Sequence, residues 1–240
     1  MSVFVIADLH LDTVTNEKSM EIFGNKWQGY LQKIKNNWTR LITENDTVII
    51  PGDISWALSS EDCIEDLKWI DSLPGKKIIM KGNHDFWWST VSKLKRLFSE
   101  NNINSIDILY NNALEIENYI IAGSRGWFVD KSVQPVKSVN TDHQKIINRE
   151  LIRLKLSLDA AKSIQEQTKK EIIAFFHFPP IWRDFECTEI LNTLKQYNIS
   201  RCYFGHIHGC YAQSSLFTWN DIEFRVISAD FIDFVPQIIV

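Results

Sequence analysis

Apolar and polar positions along the chain fall into two textures. In the first, up to residue 98, short apolar runs ending in Gly, Asp, Asn or His alternate with longer stretches of helical period, the pattern of βα units. The runs at 3–7, 47–50 and 77–80 read as buried strands. Between them, Leu31, Ile34, Trp38, Leu41 and Ile42 line one face of a helix over 30–42, Ile64, Leu67 and Ile70 do the same over 61–73, and a third helix covers 89–98. After residue 98 the strands crowd together at 106–109, 114–116 and 119–122, with Asn111-Asn112 placed as a hairpin turn. A second sheet, or an antiparallel extension of the first, begins here. Ile147, Leu151, Leu154, Leu158 and Ala161 recur at steps of four and three and predict a long amphipathic helix over 141–170, and strands follow at 172–176, 201–204, 223–227 and 237–240. The expected class is α/β. No repeat, low-complexity tract or linker interrupts the chain, so one domain over 1–240 is expected. The segments 12–29 and 123–140 lack a period and each follows a strand end, which marks them as loops that shape access to a site.

Composition narrows the function class. With a formal net charge of -4 and no run of Lys or Arg, the chain has no basic stripe for tracking phosphates, so extended nucleic acid is an unexpected partner. No stretch approaches the length of a membrane span, and the N-terminal apolar run is too short and too poor in basic residues for a signal segment. Cys63, Cys187, Cys202 and Cys210 form no C-x-x-C pair, which argues against a disulfide framework. A cytoplasmic protein is expected.

The chemistry is concentrated at the ends of the apolar runs. Five of the six histidines lie in four short segments, Asp8-Leu9-His10, Gly82-Asn83-His84-Asp85, His177 before Pro179-Pro180, and Gly205-His206-Ile207-His208, and Pro51-Gly52-Asp53 adds a carboxylate. Singly, each has an ordinary reading: a turn, a cap, or a hydrogen-bonded core histidine. Jointly they sit just past strand ends, where an open α/β sheet forms its crevices. Imidazole, carboxylate and amide donors without nearby thiolate suit two adjacent divalent ions such as Mn, Fe, Zn or Ni. A metal-dependent hydrolase is the expectation.

The ordered set D-x-H, GD, GNHD, a lone His after a strand, and GHIH resembles the calcineurin-like metallophosphoesterase superfamily over residues 8–208. That resemblance implies a four-layer α/β/β/α sandwich around two central mixed sheets. It also implies that Asp8, His10 and His208 hold one metal, Asn83, His177 and His206 a second, and that Asp53 bridges them. The chain departs from the Ser/Thr protein phosphatases, having Trp56 where their second Asp stands and Asp85 in place of Glu. It looks more like the small bacterial phosphohydrolases.

The chemistry so implied is hydrolysis of a phosphomonoester or phosphodiester of a small or nucleotide-like substrate. A hydroxide bridging the metals attacks in line, its parent water having a pKa of about 7 at strongly polarising sites, and His84 protonates the leaving oxygen. Asp85 reads as a carboxylate at the start of the next helix or as an orienting partner of His84. Trp56, Trp87, Trp88, Trp127 and Trp182 lie near the motifs, and Trp87 and Trp127 are candidates for stacking on a substrate. Arg125 and Arg183 are the cations placed to grip a phosphate oxygen. His143, in the polar start of the long helix, is expected at the surface. A non-catalytic metal-binding module of the same fold, and a nuclease, are the alternatives.

Overall fold

In the computed structural model, which describes residues 1–13, 18–128 and 141–239, two sheets pack face to face. The first is built from β1 (Val3–Val5), β2 (Thr47–Ile50), β3 (Lys76–Ile79), β4 (Ile106–Ile108) and β13 (Gln237–Ile238), in the order β13-β1-β2-β3-β4. Its four N-terminal strands run parallel and β13 is antiparallel to β1. The second is built from β5 (Leu114–Ile116), β6 (Tyr119–Ser124), β7 (Glu171–Phe176), β10 (Arg201–Phe204), β11 (Leu216–Trp219) and β12 (Ile222–Val226), in the order β11-β12-β10-β7-β6-β5. Here β6, β7, β10 and β12 are parallel, and the edge strands β5 and β11 are antiparallel to their neighbours.

The layering follows from the two-residue period of a strand, which sends alternate side chains to opposite faces. From β1 and its continuation, Val3, Val5 and Ala7 face the second sheet and meet Ile121, Ile173, Phe175 and Tyr203, forming a core between the sheets. Phe4 and Ile6 face outward into a core made with α1 (Tyr30–Leu41), α2 (Ile64–Asp71) and α3 (Val91–Glu100). On the far side, Ile120, Ala122, Ile172, Ala174 and Phe204 meet Leu154, Leu158 and Ala161 of α4 (Thr141–Thr168) and Ile190, Leu191 and Leu194 of α5 (Thr188–Gln196). Helix, sheet, sheet, helix is the four-layer order implied by the motifs.

Most predicted elements stand within two or three residues of the expected bounds. Asn111-Asn112 is not a hairpin turn: β4 pairs with β3 in the first sheet and β5 with β6 in the second, so this segment carries the chain between sheets. Asn111 takes a positive φ of 60°, while the Asn112 side chain accepts from the Tyr110 N–H and donates to the Ile108 carbonyl, which folds a local turn without needing a partner strand. The second sheet therefore begins at β5, and the hairpin is β5–β6. The chain pattern also does not announce α5, the short hairpin of β8 (Ile181–Trp182) and β9 (Phe185–Glu186), or β11. The segment 12–29, expected to be irregular, contains two short 3-10 turns at Met20–Phe23 and Asn25–Trp27, and most of the second irregular segment, 129–140, lies outside the described residues.

Candidate metal centre

At the C-terminal end of the parallel strands the two sheets are tied together. Ala7 donates to the Ile227 carbonyl at 2.8 Å and accepts from the Ala229 N–H at 2.9 Å, a bridge between the continuations of β1 and β12. Just past it, the loop of Asp8 and His10 is zipped to the loop of Asp53: Asp8 N–H reaches the Gly52 carbonyl at 3.1 Å and His10 N–H the Asp53 carbonyl at 3.0 Å. Asp8, His10, Asp53 and His206 all have positive φ, between 46° and 69°. That conformation is disfavoured for residues with a Cβ and persists where the surroundings hold it, as they do at functional sites.

The motif glycines are there for close approach. A Cβ on Gly82 would stand 2.1 Å from Asp53 Oδ1, and one on Gly205 would stand 2.5 Å from Asp8 Oδ2. Any larger residue would push a carboxylate out of the centre.

Seven sequence-nominated residues meet here. Asp8, His10 and His208 form one group with its donor atoms mutually within 4.8 Å, and Asp53, His177 and His206 form another. Asn83 adjoins the second, its Oδ1 2.6 Å from His177 Nε2. Asp53 faces both: Oδ2 lies 3.8 Å from His10 Nε2 and 3.5 Å from His177 Nε2, while Oδ1 is held by the His84 N–H at 2.8 Å.

Several contacts suit a shared cation. The Pro51 carbonyl, 3.2 Å from His177 Nδ1, can only accept, so the ring proton sits on Nδ1. Complete burial holds this imidazole well below its usual range, hence neutral, and its Nε2 lone pair faces the Asn83 oxygen. A positive ion lying against both would hold two such acceptors together. Similarly, His208 Nδ1 is engaged by Asp230 at 2.7 Å, which turns its Nε2 toward His10 Nε2 at 3.3 Å. Atoms bound to one ion at about 2.1 Å stand about 3.0–3.4 Å apart at angles of about 90–109°. Asp8 Oδ1, fully buried, has no hydrogen-bond partner among the described residues. These donor sets could hold two divalent ions.

Without such ions the electrostatics are adverse. Burial, reinforced by Asp53, pushes the Asp8 carboxyl up to about 8 against the pull of His208. Burial likewise raises Asp53 and pulls His10 well down, with the other imidazoles adding to the effect on His10. His208 is the exception: burial lowers it, but the Asp230 hydrogen bond and the Asp8 carboxylate outweigh that and hold it at about 9.

Supporting residues differ from expectation. Asp85 caps no helix, since α3 starts at Val91 with Thr90 as its cap. Instead its buried carboxylate accepts from the N–H groups of Gly82 at 2.7 Å, Asp53 at 2.9 Å, Ile54 at 2.8 Å and Ser55 at 3.3 Å, and from the Trp87 indole at 3.0 Å. It ties the Asp53 loop to the Asn83 loop, although burial and Asp53 push it up to about 7. Asp230 is not singled out by the sequence motifs. It receives His208, the Gly209 N–H at 3.3 Å and the Tyr211 hydroxyl at 2.8 Å. The run Val226-Ile227-Ser228-Ala229-Asp230 repeats the grammar of Val5-Ile6-Ala7-Asp8, an apolar strand end followed by Asp, and that is the available signal.

Of the aromatic candidates, Trp56 stacks on His10 with centroids 4.8 Å apart and stands 4.5 Å from His84. Trp87 cannot meet a substrate: it is 2% exposed, packed in the outer core, with its indole N–H on Asp85. Trp88 and Trp182 are also buried in core. Trp27, not foreseen, lies 5.6 Å from His208. Trp127 is half-buried against Phe178, and His143, expected at the surface, is half-buried against Trp127. Phe178 packs on His177 and His206, and the Arg125 guanidinium lies 5.7 Å from the centroid of the same ring. Arg183, exposed in the β8–β9 hairpin, contacts Cys210 Sγ at 3.3 Å and so faces the loop after His208 rather than the two donor groups.

A model of the calcineurin-like phosphoesterase family matches residues 1–210. Among curated proteins no match was found. Among solved structures, the phosphopantetheinyl hydrolase of Mycobacterium tuberculosis superposes with a TM-score of 0.55 at 12% identity, covering 100% of this chain and 95% of its own. The protein TT1561 of Thermus thermophilus gives 0.55 at 10% identity, covering 98% and 96%. At such identities the likeness concerns the fold. No helix among the described residues is long and apolar enough to cross a membrane.

Proposed function

Since the chain belongs to the calcineurin-like phosphoesterase family, we propose that it hydrolyses a phosphomonoester or phosphodiester of a small or nucleotide-like compound, using two divalent ions from among Mn, Fe, Zn and Ni. Asp8, His10 and His208 would hold one ion, Asn83, His177 and His206 the other, and Asp53 both, within a single domain and in the cytoplasm. The observation that carries this reading is Asp53 Oδ2, which stands within 4 Å of an imidazole of each donor group while its partner oxygen is occupied. When bound, such ions polarise phosphoryl oxygens and lower the pKa of coordinated water to about 7.

The remaining work falls to the chain itself. The four positive-φ residues and the Asp85 tie fix the donors before substrate arrives, so little reorganisation is left for the reaction. His84 is half-buried beside the donors, its backbone anchored on Asp53 and its ring between Trp56 and Phe86, where it can deliver a proton to a departing alkoxide. General-acid assistance of this kind is worth ~10²–10⁴-fold. His84→Ala is expected to lose that factor on an ester with a poor leaving group and far less on p-nitrophenyl phosphate. Equal losses on both would remove the acid role.

The reading as a whole is tested by metal analysis of the purified protein together with turnover of p-nitrophenyl phosphate and bis-p-nitrophenyl phosphate after Mn loading. Turnover abolished by chelation supports it. Bound metal with no turnover of either ester would favour a non-catalytic module.

A further inference from the structure

Beside the candidate metal centre lies a second recess, formed where β3, β6 and α4 converge. Met80, Lys81, Tyr110, Arg125, Glu150 and Arg153 line it. Lys81, Arg125, Arg153 and the neighbouring Arg149 outnumber Glu150, in a chain whose net charge is -4. Glu150 is fully buried and organises the wall: its Oε1 takes Arg153 Nη1 at 2.7 Å and lies 3.6 Å from Arg149 Nε. Arg153 also rests on the Tyr110 ring, 5.2 Å from its centroid.

Two buried polar atoms of this wall are left over. Arg125 Nε, a donor, and Glu150 Oε2, an acceptor, have no hydrogen-bond partner among the described residues. The enclosed part of the recess holds little more than a water molecule, which can serve such buried atoms. What is left over is the positive charge, since one carboxylate faces four cations. A phosphate group matches it through its oxygens, which accept from guanidinium and ammonium groups. It is too large for the enclosed space and would meet the cations from the mouth, Arg149 being half-exposed and 3.6 Å from Glu150.

The recess adjoins the centre by covalent and hydrogen-bond connections. Lys81 precedes Asn83 by two residues, a Cα separation of at most about 7 Å, and the Arg125 carbonyl accepts from the N–H of Phe178, the residue after His177, at 2.9 Å. Arg125 thus links the recess wall to the loop that carries His177.

We propose that Lys81, Arg125, Arg149 and Arg153 form an anion subsite for a second phosphate of the substrate, so that compounds carrying two separated phosphates are preferred over those carrying one. This rests on the phosphoesterase reading for its kinetic consequence but not for the binding itself. Orthophosphate is therefore titrated calorimetrically into the full chain after chelation, at low salt, where phosphate held by the metal-free donor groups is recognised by its indifference to variants of the recess. Binding should weaken at least tenfold in Arg125→Ala/Arg153→Ala, and tighten several-fold in Glu150→Gln, which keeps the shape and removes the opposing charge. No binding, or binding indifferent to both variants, overturns the subsite. With the Mn-loaded chain, adenosine 3′,5′-bisphosphate should show a KM at least tenfold below that of adenosine 5′-monophosphate, a preference erased in the double variant. Equal KM values in the unaltered chain overturn the proposed preference. If neither nucleotide nor any p-nitrophenyl ester turns over while calorimetry behaves as expected, the phosphoesterase reading fails and the anion site stands.

Discussion

The two sheets contribute unequally to the centre. The first sheet brings every candidate oxygen donor, Asp8, Asp53 and Asn83, and one imidazole, His10; the second brings imidazoles alone, His177, His206 and His208. The oxygen side is held by backbone, through zipped loops, positive φ values and the N–H groups gathered on Asp85. The imidazole side is held through second ring nitrogens, that of His177 on the Pro51 carbonyl and that of His208 on Asp230. Anionic donors close together repel one another and need a rigid frame, whereas a ring needs its second nitrogen engaged so that the first points correctly.

Three substitutions separate these roles, and a fourth is a control. The largest effect is expected at Asp53, whose Oδ2 faces an imidazole of each donor group: Asp53→Ala should lower kcat/KM by about 10³-fold or more, as the loss of several kcal/mol of metal-borne stabilisation implies, and should reduce metal content measured by atomic absorption. Retained stoichiometry and rate would end the idea of a shared carboxylate. On the imidazole side, Asp230→Ala should weaken metal affinity by ~10–100-fold, read by competition with a chromogenic chelator, while the fold persists. If affinity is unchanged, the second sheet does not rely on that partner. On the oxygen side, Asp85→Asn turns an amide N–H₂ toward N–H donors and should cost ~1–3 kcal/mol, seen as a thermal midpoint lower by about 2–4 °C per kcal/mol. A midpoint within about 1 °C of the parent, roughly the resolution of ordinary melts, would show that the loops stand without it.

The smallest effect serves as a control away from both. Asp46 accepts from Ser2 N–H at 2.7 Å, Thr43 N–H at 2.8 Å and the Thr43 hydroxyl at 2.7 Å. Burial raises its pKa, but these bonds outweigh that and hold it below the ordinary value of 3.8. A carboxyl depressed on folding adds stability that is present above the unfolded pKa and lost as pH falls through the folded one. Asp46→Asn should therefore flatten the loss of stability below about pH 4 in urea melts and leave catalysis alone.

Legibility differs between the halves for a physical reason. In Gly82-Asn83-His84-Asp85 one short stretch holds a donor, the glycine that admits the Asp53 carboxylate and the carboxylate that ties both loops, so reading the stretch gives much of the local geometry. Even so, Asp85 reads as a helix cap in the sequence, because a carboxylate near a helix start looks the same whether it serves the helix or a distant loop. The tie of His208 stands 22 residues away at Asp230, and no local pattern joins the two. The Asn111-Asn112 turn shows the same limit: its side-chain bonds are local, but which strands it connects depends on the partners each strand finds. Trp87 does stand near the motifs but has a different duty from the one expected, since nearness along the chain says nothing about which face of a loop is wet.

Each donor group takes members from both sheets, and their positions extend from residue 8 to residue 208 with Asp230 beyond. A chain emerging in order from its N-terminus therefore holds most of the oxygen donors long before the last imidazoles exist. Loose carboxylates on a half-made polypeptide cannot bring two cations together, so the candidate centre is complete only after residue 208 has emerged and the strand before it has docked.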